Sequence, residues 1–259
     1  MNGAIVGDIV GSRFERSNHK QTDFELFHRR CRFTDDTVLT LAIADALISQ
    51  KRYSDTVKRY ARAFPLAGYG GTFKKWMLGM IEGPYNSWGN GSAMRVSAIG
   101  WWFSKLETVL REAKASAMIT HDHPEGIKGA QAIASSIWHA RKGASKDEIK
   151  AYVQDQFGYD LNRTLDEIRP EYAFDVSCAG SVPEAIIAFL ESEDFEHCIR
   201  LAISIGGDSD TIAAMAGGMA EAYYGEVPRD IMDKAQKFLT DDLNDLRNEF
   251  YKRMSARNV

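Results

Sequence analysis

The sequence predicts an all-α protein, a single compact helical domain over residues 1–259. Three observations carry this expectation. Apolar residues recur at helical spacing, as in Val38, Leu39, Leu41, Ala42, Ala46 and Leu47. Helix-start signatures recur as well, among them Ser145 with Glu148 three residues on. Convincing alternating strands are few, and neither repeats nor low-complexity segments interrupt the pattern. At 44% hydrophobic, the 259 residues suffice for one sizeable core.

Gly3, Gly7 and Gly11 fall four apart and would give a first helix one smooth face. In lipid such spacing pairs helices, but this segment is short and contains Asp8, so close packing in a helical core is expected. A helix follows over 35–50 and another over 54–64, with Ser54 as cap and Pro65 beyond the end. The glycine-rich stretches "PLAGYGGTF" and "EGPYNSWGNGSAM" predict loops. Residues 92–119 read as helical with a break near Gly100, and 126–142 as a further helix. Ser145 and Glu148 cap 146–157. Ser181 and Glu184 suggest a second capping box, with Pro183 in the first turn. Helices are expected over 195–205 and 211–224, separated by "GGDSD", and an amphipathic, charged stretch spans 229–254.

The 32 basic and 36 acidic residues leave a net charge of −4, and Lys and Arg are scattered. No basic stripe supports nucleic-acid binding. Small anions stay open as ligands, because backbone amides and metals bind them without net positive charge. No apolar stretch approaches the length of a membrane span. The leading "GAIVGDIVGS" lacks a basic start and has Asp8 in its apolar run, unlike a signal peptide. Cys31, Cys178 and Cys198 are odd in number and widely spaced, which predicts free thiols in a reducing compartment. The expected location is cytoplasmic.

The chemistry concentrates at two helix starts. Asp35 and Asp36 stand together in "FTDDTVLT", flanked by Thr34 and Thr37. Asp208 and Asp210 stand in "IGGDSDTIAAMAGGMAEAYYG", followed by Thr211. Aspartate suits a helix N-terminus, where it caps free amides and meets the positive end of the dipole. One carboxylate suffices for a cap, whereas two adjacent ones repel unless a cation lies between them. Four aspartates and two threonine hydroxyls form an all-oxygen set suited to Mg²⁺ or Mn²⁺. Two readings therefore stand at this point: separate capping clusters, or one shared metal site.

These segments resemble the ADP-ribosylglycohydrolase family, which includes the dinitrogenase reductase-activating glycohydrolases. The resemblance rests on "GAIVGDIVGSRFE", "FTDDTVLT", "GNGSAMRVSAIG", "THDHPEGIKGAQAIA" and "IGGDSDTIAAMAGGMAEAYYG", in the family's order and covering nearly the whole chain. It implies an all-α fold with a binuclear Mg²⁺ site, Mn²⁺ in some members. Thr34, Asp35, Asp36, Asp208, Asp210 and Thr211 would be the metal ligands. Glu15 would sit over the site to polarise water or hold the scissile ribose, and Glu15 and Asp35 are the candidate catalytic residues. Cleaving the bond at the ribose builds oxocarbenium character, which an acidic residue can stabilise. The amides of Gly91, Ser92 and Ala93 would cradle a diphosphate, although a Gly-x-Gly alone marks a plain turn. Asn90, Met94, His121, Gly207 and Ser209 complete the candidate substrate-binding set. Two departures from the family pattern are Arg13, often Pro there, and Ser92, often Gly.

His121, Asp122 and His123 also fit a polar loop before a helix, capped by Asp122 or Thr120, with Pro124 and Glu125 in its first turn. Trp88, Trp101, Trp102 and Trp138 are expected in the core, while Tyr85, Trp88, Phe157 and Tyr159 are candidates to stack an adenine. The expected function is Mg²⁺-dependent release of ADP-ribose from a protein side chain, arginine foremost, or from a small molecule. One alternative is an inactive ADP-ribose-binding protein. Another is an HD-type metal phosphohydrolase prompted by His121-Asp122, which leaves Asp208 and Asp210 unexplained. A terpene-synthase reading fails because "DDTVL" lacks the third acidic residue of that motif.

Overall fold

Two helices touch backbone to backbone at the centre of the molecule. The computed structural model describes residues 1–257. In it α1 (Asn2–Gly11) lies against α12 (Ser209–Tyr224). A Cβ built on Gly3 would lie 2.0 Å from the Gly217 carbonyl oxygen, and one on Gly7 2.0 Å from that of Ala213. Only a hydrogen fits at either position. The glycine spacing read from the sequence therefore serves a close helix crossing inside a core. The small residues of α12 answer it: every residue from Ser209 to Ala222 is buried. A helix apolar and small on all sides belongs at the middle of a bundle.

Other helices wrap this pair. α2 (Asp35–Ser49) packs on both α1 and α12, and α11 (Phe195–Ser204) and α10 (Cys178–Glu191) cover other faces of α12. α7 (Pro124–Arg141) joins α12 to α10, α5 (Ser97–Trp102) and α6 (Leu106–Ala117). α3 (Tyr53–Ala63), α4 (Gly71–Met77), α8 (Lys146–Phe157), α9 (Leu165–Ile168), α13 (Arg229–Ala235) and α14 (Asp241–Arg257) lie further out. One continuous apolar cluster runs through the whole. Among the described residues no β-strand forms; a single bridge pairs Gly89 with Ser177.

Several boundaries differ from the sequence expectation for local reasons. The Ser145–Glu148 capping box is present, but Ser181 and Glu184 form none. The cap of α10 lies four residues earlier, where the Ser177 hydroxyl accepts from the Gly180 amide. Glu184 is instead buried against Arg163 at 2.8 Å, and Pro183 lies inside the helix. An unforeseen box joins Thr164 and Glu167. The segment 92–119 is not one broken helix. A 3₁₀ turn spans Asn90–Ser92, and α5 and α6 are separated by residues 103–105. Gly100 sits within α5 because α7 presses on it: a Cβ there would be 2.7 Å from the Ile137 Cβ. Ser54 lies inside α3, whose N-cap is Arg52.

The central crossing makes a direct prediction. Gly7→Ala forces the α1 and α12 backbones apart and should destabilise the protein by about 3 kcal/mol or more. Equilibrium urea unfolding measures this, and an unchanged midpoint would contradict the backbone contact.

Candidate active site

Three chain segments bring carboxylates to one end of the central pair. α1 supplies Asp8, the first turn of α2 supplies Asp35 and Asp36, and the start of α12 supplies Asp208 and Asp210. One carboxylate oxygen from each of Asp8, Asp36 and Asp210 lies within 4.8 Å of the others, and all three residues are buried. The two threonines join them: Thr34 Oγ1 and Thr211 Oγ1 each lie 3.4 Å from Asp36 Oδ2. The N-terminal ends of α2 and α12 both face this cluster, so two helix dipoles offset part of its negative charge.

Asp8 is the member that sequence reasoning missed. In the sequence it stands only as a charge interrupting an apolar run. In the structure it receives the Thr34 amide at 2.9 Å, the Thr34 hydroxyl at 2.6 Å, the Thr37 amide at 3.0 Å and the Thr37 hydroxyl. These four donors bind the start of α2 to α1. The available signal was that a fully buried carboxylate needs partners. Two hydroxyl-bearing residues three apart at a helix start, Thr34 and Thr37, can supply them.

Charge repulsion and burial perturb the carboxylates. Burial, then the charge of Asp8, raises Asp35 to about 7. Burial pushes Asp36 and Asp210 well above the usual carboxylate range, and the neighbouring aspartates add to it. Asp208 is raised by burial, although a 2.7 Å hydrogen bond from Asn90 Nδ2 opposes the shift. Burial also raises Asp8, against its four donors. Asp36 Oδ1 is sealed from solvent and, among the described residues, receives no hydrogen bond. A buried carboxylate oxygen without a donor, beside hydroxyls and more carboxylates, fits a hard cation. The cluster is thus of the kind that holds a metal.

Above it opens a cavity of about 580 Å³. Glu15, Asp35, Asp36, Asp208, Asp210 and Thr211 line one side. Gly89, Asn90, Gly91, Met94, Arg95 and His121 also line the cavity, with Asn90 reaching Asp208. Glu15 is partly exposed, with Arg32 at 4.0 Å. Trp88 and Tyr85 form part of the wall, and Trp88 is 51% exposed rather than in the core.

Other expected residues fall outside the cavity lining. Thr34 lies beneath the cavity, in the cluster. Ser92 is fully buried and donates to the Gly126 carbonyl at 2.7 Å, so its hydroxyl ties the loop to α7. The Ala93 amide is spent on the Asn90 carbonyl at 2.8 Å, so it is not free for an anion. Gly207 borders a smaller neighbouring pocket that also reaches Glu15, and Ser209 is buried with its hydroxyl on the Gly207 carbonyl. Phe157 and Tyr159 are away from the cavity, Tyr159 donating to Glu125 at 2.9 Å. Arg13 donates to the Glu25 carbonyl and lies over Phe14. His123 caps α7 and Asp122 accepts from the Asn86 amide, so no His-Asp metal pair forms there.

The model of one family, described as ADP-ribosylglycohydrolase, matches residues 1–258. The chain belongs to the ADP-ribosylglycohydrolase family. It is 26% identical to the ADP-ribosylhydrolase ARH3 of Homo sapiens, over 93% of this chain and 89% of that protein. It is 26% identical to the ADP-ribosylarginine hydrolase Tri1 of Pseudomonas putida (strain GB-1), over 86% of this chain and 69% of that one. A solved chain described as an ADP-ribosylglycohydrolase-related protein complex superposes with a TM-score of 0.74 at 25% identity, covering 98% of this chain and 95% of its own. As a member of this family the protein is a glycohydrolase acting on ADP-ribosylated substrates.

The raised carboxylate makes the stability of this ADP-ribosylglycohydrolase pH-dependent. Asp35 is near 7 folded and near the ordinary aspartate value unfolded. Between those values the folded state holds the extra proton, so stability falls as pH rises from about 4 to about 7. Asn at this position carries no such penalty. In EDTA, Asp35→Asn should gain stability over the wild type across that window and gain nothing below it. Thermal melts of both proteins at stepped pH check this.

Proposed function

We propose that the protein is a Mg²⁺-dependent hydrolase that cleaves the glycosidic bond between ADP-ribose and an acceptor, arginine foremost. The observation that carries this reading is the convergence of buried aspartates and two threonines at the floor of a ligand-sized cavity. Thr34, Asp35, Asp36, Asp208, Asp210 and Thr211 would hold two hard cations, Mn²⁺ being acceptable to the same oxygens. Bound there, the ions supply a clamp for ribose hydroxyls and a site that orients water.

The chain's own residues do the rest. Glu15, at the rim and open to solvent, faces the reacting ribose carbon, where its carboxylate stabilises developing positive charge or takes a proton from water. Asp35 lines the cavity beside it and fixes the pose, which lowers the entropy cost of the step. The Gly91 amide opens the 3₁₀ turn, has no carbonyl partner within it and borders the cavity, so it suits the diphosphate, whereas Ser92 is sealed from solvent. Asn90 holds Asp208, Met94 lines the cavity, and Gly207 and Ser209 shape the approach to α12. Tyr85 and Trp88 offer a ring surface for the adenine. The arginine acceptor follows the substrate named for the Pseudomonas relative, and Glu15 is the cavity carboxylate left free of the proposed metal set to meet a guanidinium. Three free, buried cysteines suit the cytoplasm.

Release of ADP-ribose from ADP-ribosyl-arginine, assayed with Mg²⁺ and with EDTA, tests the reading. An ADP-ribosyl-serine peptide runs alongside. Metal-dependent release from the arginine substrate is expected; release from serine alone would reassign the acceptor, and release unaffected by EDTA would remove the metal. Asp210→Ala should abolish Mg²⁺ binding in calorimetry. Glu15→Ala should keep the metal and lose about 10²–10⁴-fold in kcat.

Asp8 makes a separate expectation, since it orients the hydroxyl of a ligand rather than the substrate. Asp8→Asn keeps the volume but cannot accept from all four donors. Mg²⁺ affinity should fall about 10–100-fold, the usual cost of removing a group that orients a metal ligand. Calorimetric titration of the folded variant decides it.

A further inference from the structure

Arg95 is fully buried and, among the described residues, forms no ion pair with a carboxylate. One of its terminal nitrogens, Nη2, donates to the Ser116 carbonyl at 2.7 Å and to Thr120 Oγ1 at 3.0 Å. Thr120 Oγ1 in turn lies 2.7 Å from Nδ1 of His121. The direction of that last bond follows from counting protons. Arginine only donates, so Thr120 accepts from it. The Thr120 hydroxyl is fully buried, and among the described residues its only other partner is the His121 nitrogen. Were Nδ1 to carry the proton, the threonine hydroxyl would be left a buried donor with no acceptor, which is costly. With the hydroxyl donating, both Thr120 Oγ1 and His121 Nδ1 are satisfied, and the imidazole proton sits on Nε2, which faces the cavity, while Arg95 Nε and Nη1 stay without a partner among the described residues.

Nε2 has no protein partner among the described residues, and His121 lines the main cavity. The ring edge carrying it faces the glycine turn. A Cβ on Gly91 would lie 3.2 Å from Nε2, and one on Gly89 3.6 Å. This is the turn whose Gly91 amide suits the diphosphate. Tyr85 covers another side of the ring at a centroid distance of 6.1 Å. Among the described residues no carboxylate pairs with the imidazole to stabilise a positive charge. Burial and then the Arg95 charge hold His121 well below the usual histidine range, so the ring stays neutral. Burial lowers Arg95 only to about 10, so the guanidinium stays charged at neutral pH.

We infer that Arg95 and Thr120 are positioning residues that lock His121 in its neutral Nε2–H form, so that it presents one fixed N–H donor to an acceptor oxygen of the bound ligand. The ligand part of this inference rests on the proposed ADP-ribose site. The tautomer part does not. A neutral donor is useful in a cavity rich in carboxylates, because it binds an oxygen without forming an ion pair with the acids. Thr120 and Arg95 were each within sight of the sequence motifs, but the chain of donors joining them to His121 needs α5, α6 and the loop before α7 in place.

Nitrogen-15 NMR of the histidine-labelled, full-length protein reads the tautomer directly. Wild-type His121 at pH 7 should show the Nε2–H pattern without any ligand. An Nδ1–H or doubly protonated ring would overturn the inference. Thr120→Val removes the hydroxyl at nearly constant volume, and the His121 pattern should then become mixed or reversed. Its affinity for ADP-ribose should fall about tenfold, while Thr120→Ser keeps both the pattern and the affinity. A valine variant with unchanged tautomer and affinity would overturn the inference, and should that variant not fold, the wild-type spectrum decides alone. Adding ADP-ribose should shift the Nε2 resonance; binding without a shift would overturn the donor role. Absence of any ADP-ribose binding in calorimetry would defeat the proposed function, leaving the tautomer to be judged from the ligand-free spectrum.

Discussion

The contact between α1 and α12 governs the site as well as the core. Because Gly3, Gly7 and Gly11 let the two backbones meet, Asp8 on one helix lies beside Asp210 on the other. A crossing with ordinary side chains would hold the axes several ångströms further apart. The acidic groups would then not share a cation-sized space. The glycines that lower the intrinsic stability of α1 as a helix are thus what permits the cluster. Asp8 extends the constraint to α2. Its four donors from Thr34 and Thr37 fix where that helix begins, and with it the directions of Asp35 and Asp36.

Much of this was legible in the sequence because each part has a local signature. Three glycines at a spacing of four, small residues throughout 211–222, and aspartates at two helix starts are patterns of neighbouring residues. The family motifs added their order. What was not legible depended on partners distant in sequence. Ser181 and Glu184 match a capping box in spacing, yet Arg163 claims Glu184 and Ser177 starts the helix first. Gly100 looks like a helix break, yet it is the close contact with Ile137 that requires it. Trp88 looks like core, yet lies half-exposed on the cavity wall. Asp8 looked like an interruption of an apolar helix, although it is the most fully hydrogen-bonded acid of the cluster.

The cavity has an internal division of charge. Acids gather at the ends of α2 and α12, while the glycine turn and the loop before α7 add neutral donors to the lining, the Gly91 amide and the His121 ring, the Asn90 side chain being committed to Asp208. Among the described residues lining it, Arg95 is the sole arginine or lysine, and it is sealed behind Thr120 and His121. The diphosphate of an ADP-ribosylated substrate would suit these neutral donors. The anion then meets aligned dipoles rather than a lysine or arginine that would pair with the aspartates.

The same arrangement sets stability against function in a specific way. Burying Asp8, Asp36, Asp208 and Asp210 together raises each carboxyl above its ordinary range, so the folded chain binds protons, or a cation, more tightly than the unfolded chain does. Two helix dipoles and the threonine hydroxyls offset part of this cost, but Asp36 Oδ1 stays without a donor. Replacing the acids by apolar residues would relieve the repulsion and pack as well, which is the usual outcome for buried charge. Their retention at one end of a tightly packed pair therefore reflects what they bind. The rigidity of that pair also explains why such a cluster can persist: α1 and α12 cannot separate to let water between the carboxylates without losing the closest packing in the molecule. A cation entering the cluster would then meet oxygens already in position, and its binding free energy would add directly to the stability of the fold.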